Sequence, residues 1–281
     1  MILEACDQRI LAALRCVDAV TGVPLIDPVQ VSAAGVKLIR NRRGLYVIQA
    51  APGYPALNDY TATFSEPPAA PPAGQTWPVS LNLQFSDPSG RYLPREVQLK
   101  LPRAGSATAT DSVFKAVDVA LYPSPTAATA SGWAVVRATV LAAAAAPGDR
   151  PRRLPWAWIR VVREANGSNG LLPAPAFALA DWRGEALIAV AGLPVTTWDG
   201  SSTLAAQVSV RLEVVFDARL TPLPEQIDWL HFRDPNAGYL PNPDLLNGPD
   251  PQLQDGRVNA YRLASGRDSP DRLEVNLIAR P

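Results

Sequence analysis

One histidine, two cysteines and three lysines in 281 residues remove several kinds of chemistry at the outset. With His231 alone, paired-imidazole metal sites are excluded and a catalytic triad has a single candidate base. His231 stands among Trp229, Leu230 and Phe232, which reads as a packed ring. Cys6 and Cys16 are too few for a disulfide framework. Two buried thiols, or one bond between neighbouring strands, both fit their spacing. No P-loop, G-x-G-x-x-G, G-x-S-x-G or calcium loop of the D-x-[DN]-x-[DN]-G type occurs. The expectation is a chain with no cofactor, no metal and no catalytic residues.

An excess of one charge is also missing. Lys plus Arg and Asp plus Glu are 26 each. Nucleic-acid binders carry a basic surplus that displaces counterions from phosphate, so no nucleic-acid partner is expected. A net charge near zero also removes a guard against self-association. Outside Lys37, Lys100 and Lys115 the cations are arginines, whose planar fork suits carboxylates at interfaces, although a GC-rich genome gives the same bias. Long apolar runs are absent too. Residues 134–146 are interrupted by Arg137 and Thr139, short of the roughly 20 apolar residues of a membrane helix. Glu4, Asp7, Arg9 and Arg15 break the apolar start, so no export signal is expected, and synthesis and residence in the cytoplasm are.

What is present points to strands. The chain is 47% hydrophobic, enough for real cores, and carries 29 prolines and 18 glycines, which interrupt helices and punctuate short strands. Residues 79–85 alternate cleanly, with Val79, Leu81, Leu83 and Phe85 on one face. Turns are expected at Asp18 to Gly22, Asn41 to Gly44, Asp87 to Gly90 and Asp181 to Gly184. Strands are further expected at 45–49, 97–101, 113–122, 133–141, 156–163, 185–190 and 205–216, the last with room for a bulge. The small polar run 105–111 reads as a linker. The fold expected is all-β: a first sandwich over 1–104, a second over 112–220, and an irregular proline-rich C-terminal arm over 221–281. In that arm only 258–263 and 273–278 read as strands.

Thr21, Gly22, Pro24, Gly44 and Tyr46 form a Thr-Gly-x-Pro turn followed by a Gly-x-Tyr strand. On these residues the first unit resembles the carboxypeptidase-regulatory-like, or transthyretin-like, β-sandwich. In the second unit Gly184 matches, but the Thr-Gly-x-Pro turn is missing and Leu187 replaces the tyrosine. The resemblance implies two tandem Ig-like or transthyretin-like sandwiches acting as scaffold and contact surface, with no catalytic residues to carry over.

Candidate binding residues are mostly aromatic. Trp229, Phe232, Tyr239 and Tyr261 are anchors by which the arm docks on the second sandwich or on a neighbouring subunit. Trp156 and Trp158 share a face of one expected strand and would be a carbohydrate platform if exposed; core packing is the simpler reading. The acids Asp181, Glu185, Asp234, Asp244, Asp250 and Asp255 read as turn residues and partners for arginine, not as a glycosidase pair. Sandwiches of this kind commonly work outside cells, yet no export signal is seen. Phage tails and contractile injection systems join these two facts, because their parts are made and assembled in the cytoplasm. The expectation, by analogy, is a non-enzymatic structural or adaptor subunit of such a particle, oligomeric within it and partnered by its other subunits. The alternative is a module that binds carbohydrate or a cell surface.

Overall fold

The computed structural model describes residues 10–54, 57, 76–163, 176–193, 207–220, 240–246 and 248–280. The fold is all-β, and turn chemistry sets much of it. Strands β3 (Lys37–Arg40) and β4 (Tyr46–Ala50) are joined at Asn41, whose side-chain oxygen accepts the amides of Arg43 and Leu45, both at 2.9 Å. The Gly44 amide donates to the Asn41 carbonyl at 3.0 Å, with Gly44 at φ +81°. The same device recurs at Asp181, whose Oδ1 accepts the amides of Arg183 and Glu185 at 2.8 and 3.0 Å, with Gly184 at φ +76°. It joins β11 (Ala176–Leu179) to β12 (Glu185–Val190). A short carboxylate or amide mimics a backbone turn, and glycine takes the left-handed conformation that closes it.

Contacts along the chain divide it into two units. One comprises residues 1–17, 24–86 and 96–120; the other comprises 18–23, 87–95 and 121–281. The chain therefore changes unit near 18, 24, 87, 96 and 121, and not at the expected linker 105–111.

The first unit holds two sheets. One has the order β3-β4-β1-β7, with β1 spanning Ala12–Asp18 and β7 spanning Val117–Leu121. The other has the order β2-β5-β6, with β2 at Gln30–Ser32, β5 at Val79–Ser86 and β6 at Arg95–Leu101. Residues 113–122 were expected to open the second sandwich, but β7 sits in the same sheet as β1. Leu81, Leu83 and Phe85 are fully buried, as the alternation of β5 predicts. The hydroxyl of buried Tyr46 donates to the Val29 carbonyl at 2.6 Å and accepts the Val29 amide at 2.7 Å. The tyrosine of the Gly-x-Tyr pattern thus ties down the chain just before β2.

The second unit is built on two sheets around one core. The first sheet has the order β11-β10-β13-β14-β16, with β10 at Trp158–Arg163, β13 at Gln207–Asp217, β14 at Leu253–Ala264 and β16 at Ile278–Ala279. The second has the order β12-β8-β15, with β8 at Ala134–Ala142, β15 at Asp268–Val275, and the short β9 (Arg152–Arg153) paired to β8. Val136, Ala138 and Val140 of β8, with Ile188 of β12, share a core with Ile159, Val161, Leu212, Val214 and Phe216 of the other sheet.

The C-terminal segment is more regular than the expected arm. β14 is the longest described strand and pairs with β13 along its length, while β15 runs parallel to β8. Residues 253–275 therefore supply a strand to each sheet. Two features hide them from a period-two reading. Ala260 takes φ +52° where the β13–β14 register shifts, so the faces of β14 exchange midway. β15 is an edge strand whose exposed positions carry Asp268, Arg272 and Glu274, with Pro270 tolerated there.

Candidate functional site

The sequence-predicted site residues are placed as follows. Trp158 opens β10 and is 4% exposed; its ring stacks on Phe177 at 5.1 Å between centroids and 13° between planes. Its indole N–H donates to the Tyr122 hydroxyl at 3.4 Å. Trp156 lies before the strand, in a turn at φ +57°, and is 2% exposed. The two rings thus do not share a strand face, because period-two alternation begins only at Trp158. Neither ring lies open for a sugar to stack on. Tyr261 of β14 is partly buried, and its hydroxyl donates to Asp271 of β15; burial, then that bond, raises its pKa. This anchor serves an internal contact. Trp229, Phe232, Tyr239, His231 and Asp234 lie outside the described residues.

The face of the five-stranded sheet turned away from the main core carries a second cluster. Leu179 and Val215 lie directly opposite Trp158 in the register, so all three share that face. Leu93, Tyr122, Leu246 and Leu253 pack with them. Arg95 is 1% exposed, with its guanidinium 5.8 Å from the Tyr122 ring centroid. It pairs with Asp244, which sits in a 3-10 turn, Pro243–Leu245. Arg280 donates to the carbonyls of Leu246 and Gly248 at 2.8 and 2.7 Å and to both oxygens of Asp255. Two arginines therefore fasten Asp244, Leu246 and Gly248 beside the aromatic cluster. Burial raises the Tyr122 pKa, keeping the phenol protonated in this apolar setting. Nothing in the sequence singled out Arg95, because its partner lies 149 positions away.

The acids raised as candidates are used in the same way. Arg183 pairs with both Asp181 and Glu185 at 2.9 Å. Asp250 shares Arg219 with Asp217, both at 2.7 Å, and Asp255 pairs with Arg280 at 2.8 Å. Each holds a turn or fastens a segment.

The first unit carries an open cleft of about 880 Å³. Trp77 and Pro78 before β5, the end of β6, and residues 102–104, 110–111 and 115–117 line it. Its charged lining is Lys100, Arg103, Lys115 and Asp111. Arg103 is 8% exposed; its Nε donates to the Asp111 carbonyl at 3.0 Å. Burial lowers its pKa, with the Asp111 charge opposing the shift. Lys115 donates to the Ala109 carbonyl at 2.8 Å and is exposed, as is Lys100.

Among the described residues, no group of three or more His, Cys, Asp or Glu is placed to hold a metal ion, and no helix is long and apolar enough to cross a membrane. Compared with protein-family models, with curated proteins and with solved structures, the chain matches none.

Proposed function

We propose that the chain is a non-enzymatic structural or adaptor subunit of a phage-tail-like or contractile injection particle. It acts through protein–protein interfaces, with other subunits and further copies of itself as partners. In this reading it is made and assembled in the cytoplasm. The observation that carries the proposal is how the ionisable side chains are spent. Asp18, Asp87, Asp181, Asp217, Asp244 and Asp255 each accept from their own turn or from an arginine or tyrosine that fastens a segment. Such use builds a rigid scaffold. Exposed Ile26 at 88% and Phe114 at 69% give the surface apolar points of the kind that interfaces bury. The particle itself is proposed by analogy with sandwich-built tail proteins.

The test is recovery from the native host. The tagged protein is purified gently, sized, and imaged by negative-stain electron microscopy. Recovery in rods, rings or tubes with co-purifying proteins supports the reading. Recovery as a lone monomer overturns it.

A further inference from the structure

We propose that the cleft beside Trp77 in the first unit is a docking site for a carboxylate-rich segment of a partner protein, with Arg103 as the buried anchor and Lys100 and Lys115 as its rim. Three observations converge. The first is a guanidinium in a position that costs free energy. Arg103 is more than nine-tenths buried, makes one hydrogen bond to a backbone carbonyl, and has no carboxylate within ion-pair distance among the described residues. Buried guanidinium groups are ordinarily paired, and the other arginine buried among the described residues, Arg95, is paired with Asp244. The second is local charge. Among the described residues, three cations and one acid line the cleft of a chain whose net charge is zero, and two of its three lysines are among them. The third is an apolar flank: Trp77, Pro78 and Pro102 line the same cleft, and Phe114 stands exposed next to Lys115 in sequence.

The planar fork of arginine donates two parallel hydrogen bonds to a carboxylate, and lysines at the rim steer and hold further acids without fixing their geometry. Trp77 and the prolines favour an apolar or aromatic side chain between the acids. The fitting partner is thus an acidic segment with an interspersed aromatic. This rests on the adaptor reading above and names the kind of partner one of its surfaces takes.

The experiment titrates the full chain with a synthetic peptide of six glutamates and two phenylalanines, and separately with inorganic phosphate. Trp77 is followed by its indole N–H resonance, assigned through Trp77→Phe. The expected result is saturable peptide binding that moves the Trp77 resonance, weakened about tenfold or more in Lys100→Glu and in Lys115→Glu. Both substitutions are on the surface, so they test the idea even if Arg103→Met fails to fold. An unmoved Trp77 resonance, undiminished binding in both lysine variants, or binding of phosphate without binding of the peptide would each overturn the proposal. Recovery in particles without peptide binding sinks the cleft alone. Peptide binding by a protein found only as a monomer sinks the particle reading alone.

Discussion

The hydroxyl of Tyr92 donates to the carboxylate of Asp18 at 2.7 Å, across 74 positions of sequence, and both residues are buried. Asp18 also accepts the amides of Val20 and Thr21 at 2.9 and 2.8 Å, so a carboxylate withdrawn from water keeps several donors. Burial, then the bond to Asp18, raises the Tyr92 pKa above the ordinary 10.0. A tyrosine that holds its proton more tightly when folded contributes stability that is complete below about pH 10 and declines as pH rises beyond it. Tyr92→Phe should cost about 1–3 kcal/mol at pH 7, because Asp18 loses a donor. It should also make the alkaline decline shallower, leaving the part due to Tyr46, Tyr122 and Tyr261, whose pKa values are raised too. Urea unfolding at pH 7 and pH 10.5 measures both effects, and an unchanged alkaline decline would remove Tyr92 from the explanation.

Arg95 and Asp244 should respond unequally to substitution. Arg95 is enclosed, whereas the Asp244 side chain is 58% exposed. Arg95→Met removes the enclosed charge, keeps much of the packing and leaves a largely exposed carboxylate, and should cost about 1 kcal/mol. Asp244→Ala leaves the enclosed Arg95 guanidinium without this carboxylate and should cost on the order of 3 kcal/mol. Both should hasten proteolysis within residues 240–250. Equal losses of melting temperature in the two variants would contradict this account of the clasp.

Two glycines at almost the same φ should behave differently. Gly184 and Gly90 lie at +76° and +70°. A Cβ on Gly184 would meet the backbone of Leu154 at 3.2 and 3.3 Å and the Val140 carbonyl at 3.3 Å, while a Cβ on Gly90 would meet nothing within 4 Å. Gly90→Ala should therefore cost only the left-handed backbone, about 1–2 kcal/mol. Gly184→Ala adds crowding and should cost on the order of 2–4 kcal/mol. Denaturation midpoints of the two variants decide, and a loss at Gly90 matching that at Gly184 would refute the steric part.

Trp158 should matter for stability. Trp158→Ala empties a position packed against Phe177 and the Tyr122 hydroxyl, for a loss of about 3–5 kcal/mol. A variant that melts with the parent but loses affinity for a glycan panel would instead restore the carbohydrate reading of this residue.

Much of the local structure was legible because its causes are local. Asn41, Asp87 and Asp181 carry their turn instructions within five residues, and the alternation of β5 appears directly in its burial. The boundaries were not legible in the same way. Residues 105–111 look like a linker because they are small and polar, yet Ala104 bridges Ser112 across them and they stay within one unit. Of the candidate site residues, Trp156 falls outside its expected strand because a left-handed turn delays the strand's start to Trp158, two residues later than the pattern suggests. Arg103 gave no signal, since burial of a charged side chain is a property of its surroundings.

The sequence by itself determined an all-β chain, the positions of its tight turns, and the scarcity of histidine, cysteine and lysine that limits its chemistry. These depend on side-chain type and on spacings shorter than a strand. Only the tertiary structure decided that β7 joins the first unit, that β14 and β15 complete both sheets of the second, and that Arg95 meets Asp244. Each of these is a pairing between distant segments. Its free energy comes from burying surfaces that neither segment specifies alone, so no local pattern announces it.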